Sequence, residues 1–165
     1  MKILVLSDSH SSLQFMRYCV DSVRPDAVVH LGDYFEDGEV ISEEFPHIRF
    51  YQVPGNCDRY RYYGSASEIL ILPVLGVNLY MTHGHKHRVK QYLLELLRDA
   101  RASRVDAVLF GHTHEALCVQ EPDGLWVLNP GSCGYHGGSA GLIEVENGKI
   151  MTCRILRQDD LEALR

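Results

Sequence analysis

The chain has 165 residues, 45% of them hydrophobic and 23% charged, with a net charge of -6, the size and balance of one soluble globular domain over residues 1–165. The acidic balance argues against broad binding to nucleic acid or to an anionic membrane, either of which needs a basic surface. Behind a single Lys2 the first apolar run is too short for a signal peptide, and no run approaches membrane-span length, so a cytoplasmic protein is expected.

Met1 to Ser7 reads as a buried strand, followed by a helix capped by Ser11 or Ser12, with Leu13, Met16, Val20 and Val23 at helical spacing until Pro25 stops it. The next strand leads to Gly32-Asp33, completing a β-α-β unit of a layered α/β fold. A short helix is expected over Asp37 to Phe45, and a strand over Ile48 to Val53. Ile69 to Leu72 and Val77 to Met81 form a hairpin separated by Pro73 and Gly76. The clearest helical pattern runs from Arg88 to Ala102, with Val89, Tyr92, Leu93, Leu96, Leu97 and Ala100 on one face. Beyond a strand at Asp106 to Phe110 the pattern is all β. Ala116 to Gln120 and Leu125 to Leu128 flank a Pro122-Asp123-Gly124 turn, and Gly141 to Glu146 and Lys149 to Ile155 flank Asn147-Gly148, a strong hairpin signal. Cys19, Cys57, Cys118, Cys133 and Cys153 include no C-x-x-C, so mostly buried, reduced thiols are expected rather than a disulfide framework or thiolate zinc site.

Five apolar runs end in a residue able to bind a metal: Asp8 and His10, Asp33, Asn56, His83, then His112 and His114. Strand carboxyl ends of an open α/β sheet share one edge, so these residues can converge there, and their oxygens and imidazoles suffice for two divalent cations. Taken singly, Asp8-x-His10, Gly32-Asp33 or Gly55-Asn56 is ordinary turn chemistry. The repetition at five strand ends, with Gly beside the His pairs of His83-Gly84-His85 and Gly111-His112-Thr113-His114, is what turn chemistry explains poorly. Two cations among two carboxylates would leave a locally positive pocket suited to phosphate on an acidic protein.

The series Asp8-Ser9-His10, Gly32-Asp33, Gly55-Asn56-Cys57-Asp58, His83-Gly84-His85, Gly111-His112-Thr113-His114 and Asn129-Pro130-Gly131-Ser132 resembles the calcineurin-like metallophosphoesterases, in particular their small single-domain bacterial and archaeal phosphodiesterase branch. The resemblance implies a four-layer αββα sandwich with a metal site at the strand carboxyl ends. One ion would take Asp8, His10, Asp33 and His114, the other Asp33, Asn56, His83 and His112, with Asp33 shared. It further implies hydrolysis of a small phosphodiester or phosphomonoester by a hydroxide bridging two cations, which lower the pKa of water from 15.7 toward about 7. Mn is the first choice by resemblance, and the mixed oxygen and nitrogen donors also suit Fe, Ni or Zn.

Asp33, Asn56, Cys57, Asp58 and His85 are the candidate catalytic residues, His85 and Asp58 by orienting ligands or substrate. Cys57 stands where much of the superfamily has a His thought to assist the leaving group, and a thiol is a poor replacement. Arg59-Tyr60-Arg61-Tyr62-Tyr63 interleaves cations and rings that could hold a phosphate and stack a base, or form a solvated loop. His30 reads as a core residue; His47, His87 and His136 carry no assignment. The alternatives to an enzyme are a protein-binding scaffold or a metal- or nucleotide-binding regulatory protein of the same fold.

Overall fold

A computed structural model describes residues 1–58 and 66–165, among which ten strands divide between two five-stranded sheets. Sheet 1 has the order β10-β9-β1-β2-β3, built from β1 (Lys2–Leu6), β2 (Ala27–His30), β3 (Arg49–Gln52), β9 (Ala140–Glu146) and β10 (Lys149–Leu156). Sheet 2 has the order β4-β5-β6-β8-β7, built from β4 (Ile69–Val74), β5 (Val77–Thr82), β6 (Ala107–Leu109), β7 (Ala116–Gln120) and β8 (Trp126–Pro130). Each sheet contains a parallel triplet, β1-β2-β3 in one and β5-β6-β8 in the other.

Period-two alternation assigns the strand faces. Ile3, Val5 and Val29 meet Leu79, Met81 and Leu109 in the core between the sheets, while Leu4, Leu6 and Val28 pack outward on Met16, Cys19, Val20 and Ile41. Those outer partners belong to α1 (Leu13–Val23) and α2 (Phe35–Glu44), and Leu161 of α4 (Gln158–Ala163) joins them. On the far face of sheet 2, Tyr80, Val108 and Val127 pack against Leu96 and Ala100 of α3 (Leu94–Ala102). Helices, sheet, sheet and helix make the four-layer αββα sandwich that the resemblance implied.

Some local expectations need correction. The helix expected over Arg88 to Ala102 begins only at Leu94: Arg88 adopts a left-handed conformation (φ 53°) that closes the 3₁₀ turn His85–His87 and cannot sit inside a right-handed helix, and residues 89–93 follow as irregular turns. Tyr92, expected on the buried face, is consequently exposed. Pro73 lies within β4 opposite Asn78 rather than in the turn; β4 is an edge strand, where the missing N–H costs no ladder bond. The six-residue α4 had no sequence signal, being too short to display a period. The Asn147-Gly148 hairpin forms as expected, both residues at positive φ as a two-residue turn requires. Cys19 and Cys133 are buried, Cys118 and Cys153 half-buried, and Cys57 is exposed, so fewer thiols are fully enclosed than expected. No helix among the described residues is long and apolar enough to cross a membrane. The Arg59 to Tyr63 segment lies outside the described residues.

Candidate metal centre

Past the last paired residues of each parallel triplet, single hydrogen bonds continue from loop to loop. Leu31 N donates to Leu6 O at 2.9 Å, Asp8 N to Gly32 O at 2.9 Å, Val53 N to His30 O at 3.1 Å, and in sheet 2 Gly111 N to His83 O at 3.1 Å. Cys133 N, from the loop after β8, donates to Ser7 O at 3.0 Å and so joins the ends of the two sheets. Asp8, His10, Asp33, Asn56, His83, His112 and His114 all follow strands of these triplets, and five of the seven (Asp8, His10, Asp33, His112 and His114) have φ between 44° and 69°. Left-handed backbone at non-glycine residues costs energy, and its concentration here marks a constrained site.

Close packing explains two of the glycines. At Gly32 (φ +97°) a Cβ would come within 2.8 Å of Gly55 Cα, so Gly lets the loops carrying Asp33 and Asn56 touch. A Cβ on Gly111 would meet Ser7 Oγ and lie 2.7 Å from Asp8 Oδ2. Asp58 then fastens the sheet 1 side. Its carboxylate accepts from the backbone N–H of Asp33 (3.0 Å), Tyr34 (2.9 Å), Phe35 (3.0 Å) and Gly55 (2.7 Å). Both of its oxygens are engaged in holding the Asp33 and Gly55 loops together. On the sheet 2 side Asn129 Nδ2 donates to Gly111 O (2.9 Å) and Thr113 Oγ1 (3.0 Å), while its Oδ1 accepts from Gly131 N (2.9 Å).

One donor atom from each of Asp8, His10, Asp33 and His114 falls within a set whose members all lie within 4.8 Å of one another. Next to it, His83 Nε2 lies 3.5 Å from Asp33 Oδ1 and 3.1 Å from Asn56 Oδ1, and the His83 and His112 rings are 5.0 Å apart. His83 Nδ1 donates to Leu31 O at 2.8 Å, which fixes the tautomer and turns the Nε2 lone pair toward Asp33. The His85 ring lies 5.5 Å from that of His83 and 6.1 Å from that of His112.

Asp8 Oδ2 accepts from Ser7 Oγ (2.5 Å) and His112 N (3.0 Å), whereas Oδ1 lies 3.1 Å from His114 Nε2. Burial alone would raise the Asp8 pKa; His114, His83 and Ser7 together outweigh it and hold the carboxyl below its ordinary value. The bond with Asp8 pulls His114 upward, while burial, with His83 and Lys90 nearby, drops His112 to about 4 and keeps its imidazole neutral. Cys57 reaches solvent, yet partial burial followed by the Asp33 carboxylate pushes its thiol up to about 11. It is a protonated thiol at neutral pH, an acid far weaker than an imidazolium.

The sequence profile of the calcineurin-like phosphoesterase superfamily domain matches residues 1–148. The chain belongs to that superfamily. A probable metallophosphoesterase of Bacillus subtilis, YsnB, is 30% identical over 135 residues, covering 80% of this chain and 75% of that one. A phosphodiesterase of Methanocaldococcus jannaschii is 25% identical over 163 residues, covering 88% of this chain and 94% of that one. The zinc complex of wild-type Vps29 from Entamoeba histolytica superposes with a TM-score of 0.70 at 20% identity, covering 94% and 98% of the two chains, a likeness of fold.

The divalent metal implied by the calcineurin-like family fits the donors present. Asp8 Oδ1 and His10 Nε2 are buried without a well-directed hydrogen bond, although buried polar atoms are almost always paired, and both belong to the clustered set. A cation would satisfy both at once. The sequence marked Ser132 within the Asn129 to Ser132 run but not the way it and two tyrosines brace this superfamily site. Ser132 Oγ donates to Asp8 O (2.7 Å) and accepts from Gly134 N and Tyr135 N. The Tyr135 ring stacks on His114 at 5.0 Å, and Tyr34 meets His10 edge-on at 5.1 Å. The position of Asn129 to Ser132 at the end of another parallel strand was the available signal for the first of these; the tyrosines had none. His30 is fully buried with Nε2 3.2 Å from Ser9 Oγ, the core role expected.

Proposed function

We propose that this phosphoesterase is a two-metal phosphodiesterase acting on small phosphate esters, with phosphomonoesters as secondary substrates. The observation that carries the reading is the convergence of Asp8, His10, Asp33 and His114 donors within 4.8 Å, with the buried Asp8 Oδ1 and His10 Nε2 lacking a well-directed hydrogen bond. In this reading Asp8, His10, Asp33 and His114 hold one ion, and Asp33, Asn56, His83 and His112 the other. Bound there, divalent ions would supply Lewis-acid activation of water and neutralisation of phosphoryl charge. Mn is the first choice on the family resemblance, with Fe, Ni or Zn accepted by the same donors.

The remaining roles belong to the chain itself. Asp8 stays ionised at neutral pH, and His112 stays neutral, so each is in its donor form without a proton to displace. Asp58 holds the loop that presents Asp33. His85, beside His83 and His112, orients a substrate oxygen. Cys57 keeps its proton and gives little help to a departing alkoxide, so esters with acidic leaving groups are favoured.

A second reading, a protein-binding scaffold or a metal- or nucleotide-binding regulator, has the likeness to Vps29 in its favour, since at 20% identity that likeness carries the fold without the reaction. The deciding experiment strips the protein with chelator and follows a chromogenic phosphodiester with and without Mn, beside Asp33→Asn. Activity that returns with metal and is lost in the variant supports the phosphodiesterase. A protein that binds two ions yet stays inactive with Mn, Fe, Ni and Zn supports the second reading.

A further inference from the structure

Cys118 lies on β7, at the edge of sheet 2, and Cys153 on β10, at the edge of sheet 1. The two side chains meet across the gap between the sheets. Sγ to Sγ is 3.4 Å, and the Cys118 thiol donates to the Cys153 carbonyl oxygen at 3.1 Å. Both pack against the rim of the inter-sheet core and both are half-buried, so a small molecule can reach them. The other thiols differ. Cys19 and Cys133 are enclosed, and burial pushes Cys133 up to about 12; Cys57 is exposed beside the metal centre.

We propose that Cys118 and Cys153 are an oxidisable pair that forms a reversible disulfide between β7 and β10. Closing the bond takes the sulfurs from 3.4 Å to about 2.05 Å, a movement that side-chain rotation on two edge strands can supply. The two thiols are equivalent in this chemistry, and either can open the exchange; the steps are the same with their roles reversed.

The oxidant is a low-molecular-weight disulfide, RSSR. Cys118 thiolate attacks one of its sulfurs, forming a mixed disulfide and expelling a thiolate that takes up the proton Cys118 lost. Cys153 then attacks the Cys118 sulfur and expels the second thiolate, which takes the proton from Cys153. Two cysteine thiols are oxidised and one RSSR is reduced to two RSH. In a reducing compartment the pair stays open, and under oxidation it closes. The bond encloses residues 118 to 153, a stretch that includes β8, the Ser132–Tyr135 turn that braces Asp8, and β9. Oxidation therefore restrains the unfolded chain and ties together the two sheets that share the metal centre.

The test incubates the full chain with oxidised glutathione, denatures it in iodoacetamide, and reads the intact mass, the linked peptides and the thermal midpoint. Two fewer alkylated thiols are expected, with a peptide joining Cys118 to Cys153 and a midpoint raised by several degrees and restored by dithiothreitol. The linkage and the shift are both expected to vanish in Cys118→Ser and in Cys153→Ser and to persist in Cys57→Ser. Five alkylated cysteines in the wild type, or glutathione held as a stable adduct without a linked peptide, would overturn the proposal. So would a midpoint shift that survives in the Cys118 and Cys153 variants. Should either of those variants fail to fold, the linked peptide in the wild type and in Cys57→Ser decides alone.

Discussion

The two parallel triplets finish their strands in the same manner and arm them with different chemistry. After β1, β2 and β3 come Asp8, His10, Asp33 and Asn56, which include both clustered carboxylates and the amide; after β5 and β6 come His83, His112 and His114. Sheet 1 thus supplies the negative charge with one imidazole, His10, and sheet 2 supplies imidazole alone. Each proposed ion draws on both, with His114 completing a mostly sheet 1 set and His83 and His112 completing the set around Asn56. The clips follow the same division. Asp58 gathers four amides on one side, and Asn129 donates two hydrogen bonds and accepts one on the other. Neither sheet holds a complete centre, so the apolar packing of Ile3, Val5 and Val29 on Leu79, Met81 and Leu109 sets the site's geometry from a distance.

The largest effect is expected from Asp33→Asn, which removes the one carboxylate that both sets share; Mn-supported hydrolysis of a chromogenic diester should fall by more than about 100-fold, beyond the usual loss for an outer partner. His112→Asn, on the imidazole side, should cost less, and equal losses would remove the distinction between the sheets. Next comes Asp58→Asn, which replaces an acceptor of four N–H bonds with a group half of which is a donor. It should lower both metal affinity and rate by about 10- to 100-fold, measured by Mn titration and initial rates. The matching exchange on sheet 2, Asn129→Asp, turns a carboxylate toward the Gly111 carbonyl and should destabilise the chain by about 1–3 kcal/mol in denaturant unfolding.

The smallest effect contrasts a sheet 1 histidine that is not a proposed ligand with those of sheet 2. Burial drops His30 to about 4, against 6.5 unfolded. Between those values the unfolded chain binds the extra proton, so His30's contribution is complete above 6.5 and is lost as pH falls toward 4. One unit below 6.5 the loss is about 1.4 kcal/mol. His30→Gln should flatten that part of the stability profile, as seen by chemical denaturation at pH 7, 6 and 5.

The candidate ligand positions were legible because each follows a short apolar run, and a run that ends in Asp, Asn or His is visible without knowing how strands pair. The β9–β10 hairpin was legible for a similar reason, Asn-Gly being one of few dipeptides that accept two positive φ angles. The start of α3 was not. Val89 and Leu93 keep helical spacing with Leu96, but one left-handed residue at Arg88 takes the preceding turn out of the helix, and backbone handedness at a non-glycine leaves no mark in composition. The same holds for Asp8, His10, Asp33, His112 and His114, whose conformations are imposed by the loops around them. Asp58 stood out in the sequence as a candidate to orient ligands or substrate, but its four amide partners come from two separate loops, a convergence that only folding reveals. Tyr34 and Tyr135 were invisible for the same reason: aromatic residues in loops carry no period.

Strand β1 sits between β2 and β9, so the neighbour on one side of it is made early in synthesis and the neighbour on the other side late. Asp8 likewise depends on Ser132 and Gly134, whose atoms reach its carbonyl from far along the chain. A ribosome has to deliver nearly the whole polypeptide before Asp8 is braced, and such distant pairings form slowly. Completion of the candidate metal centre is therefore a late event in folding, and a nascent chain ending before Ser132 would carry all seven candidate donors yet lack the bracing that positions Asp8.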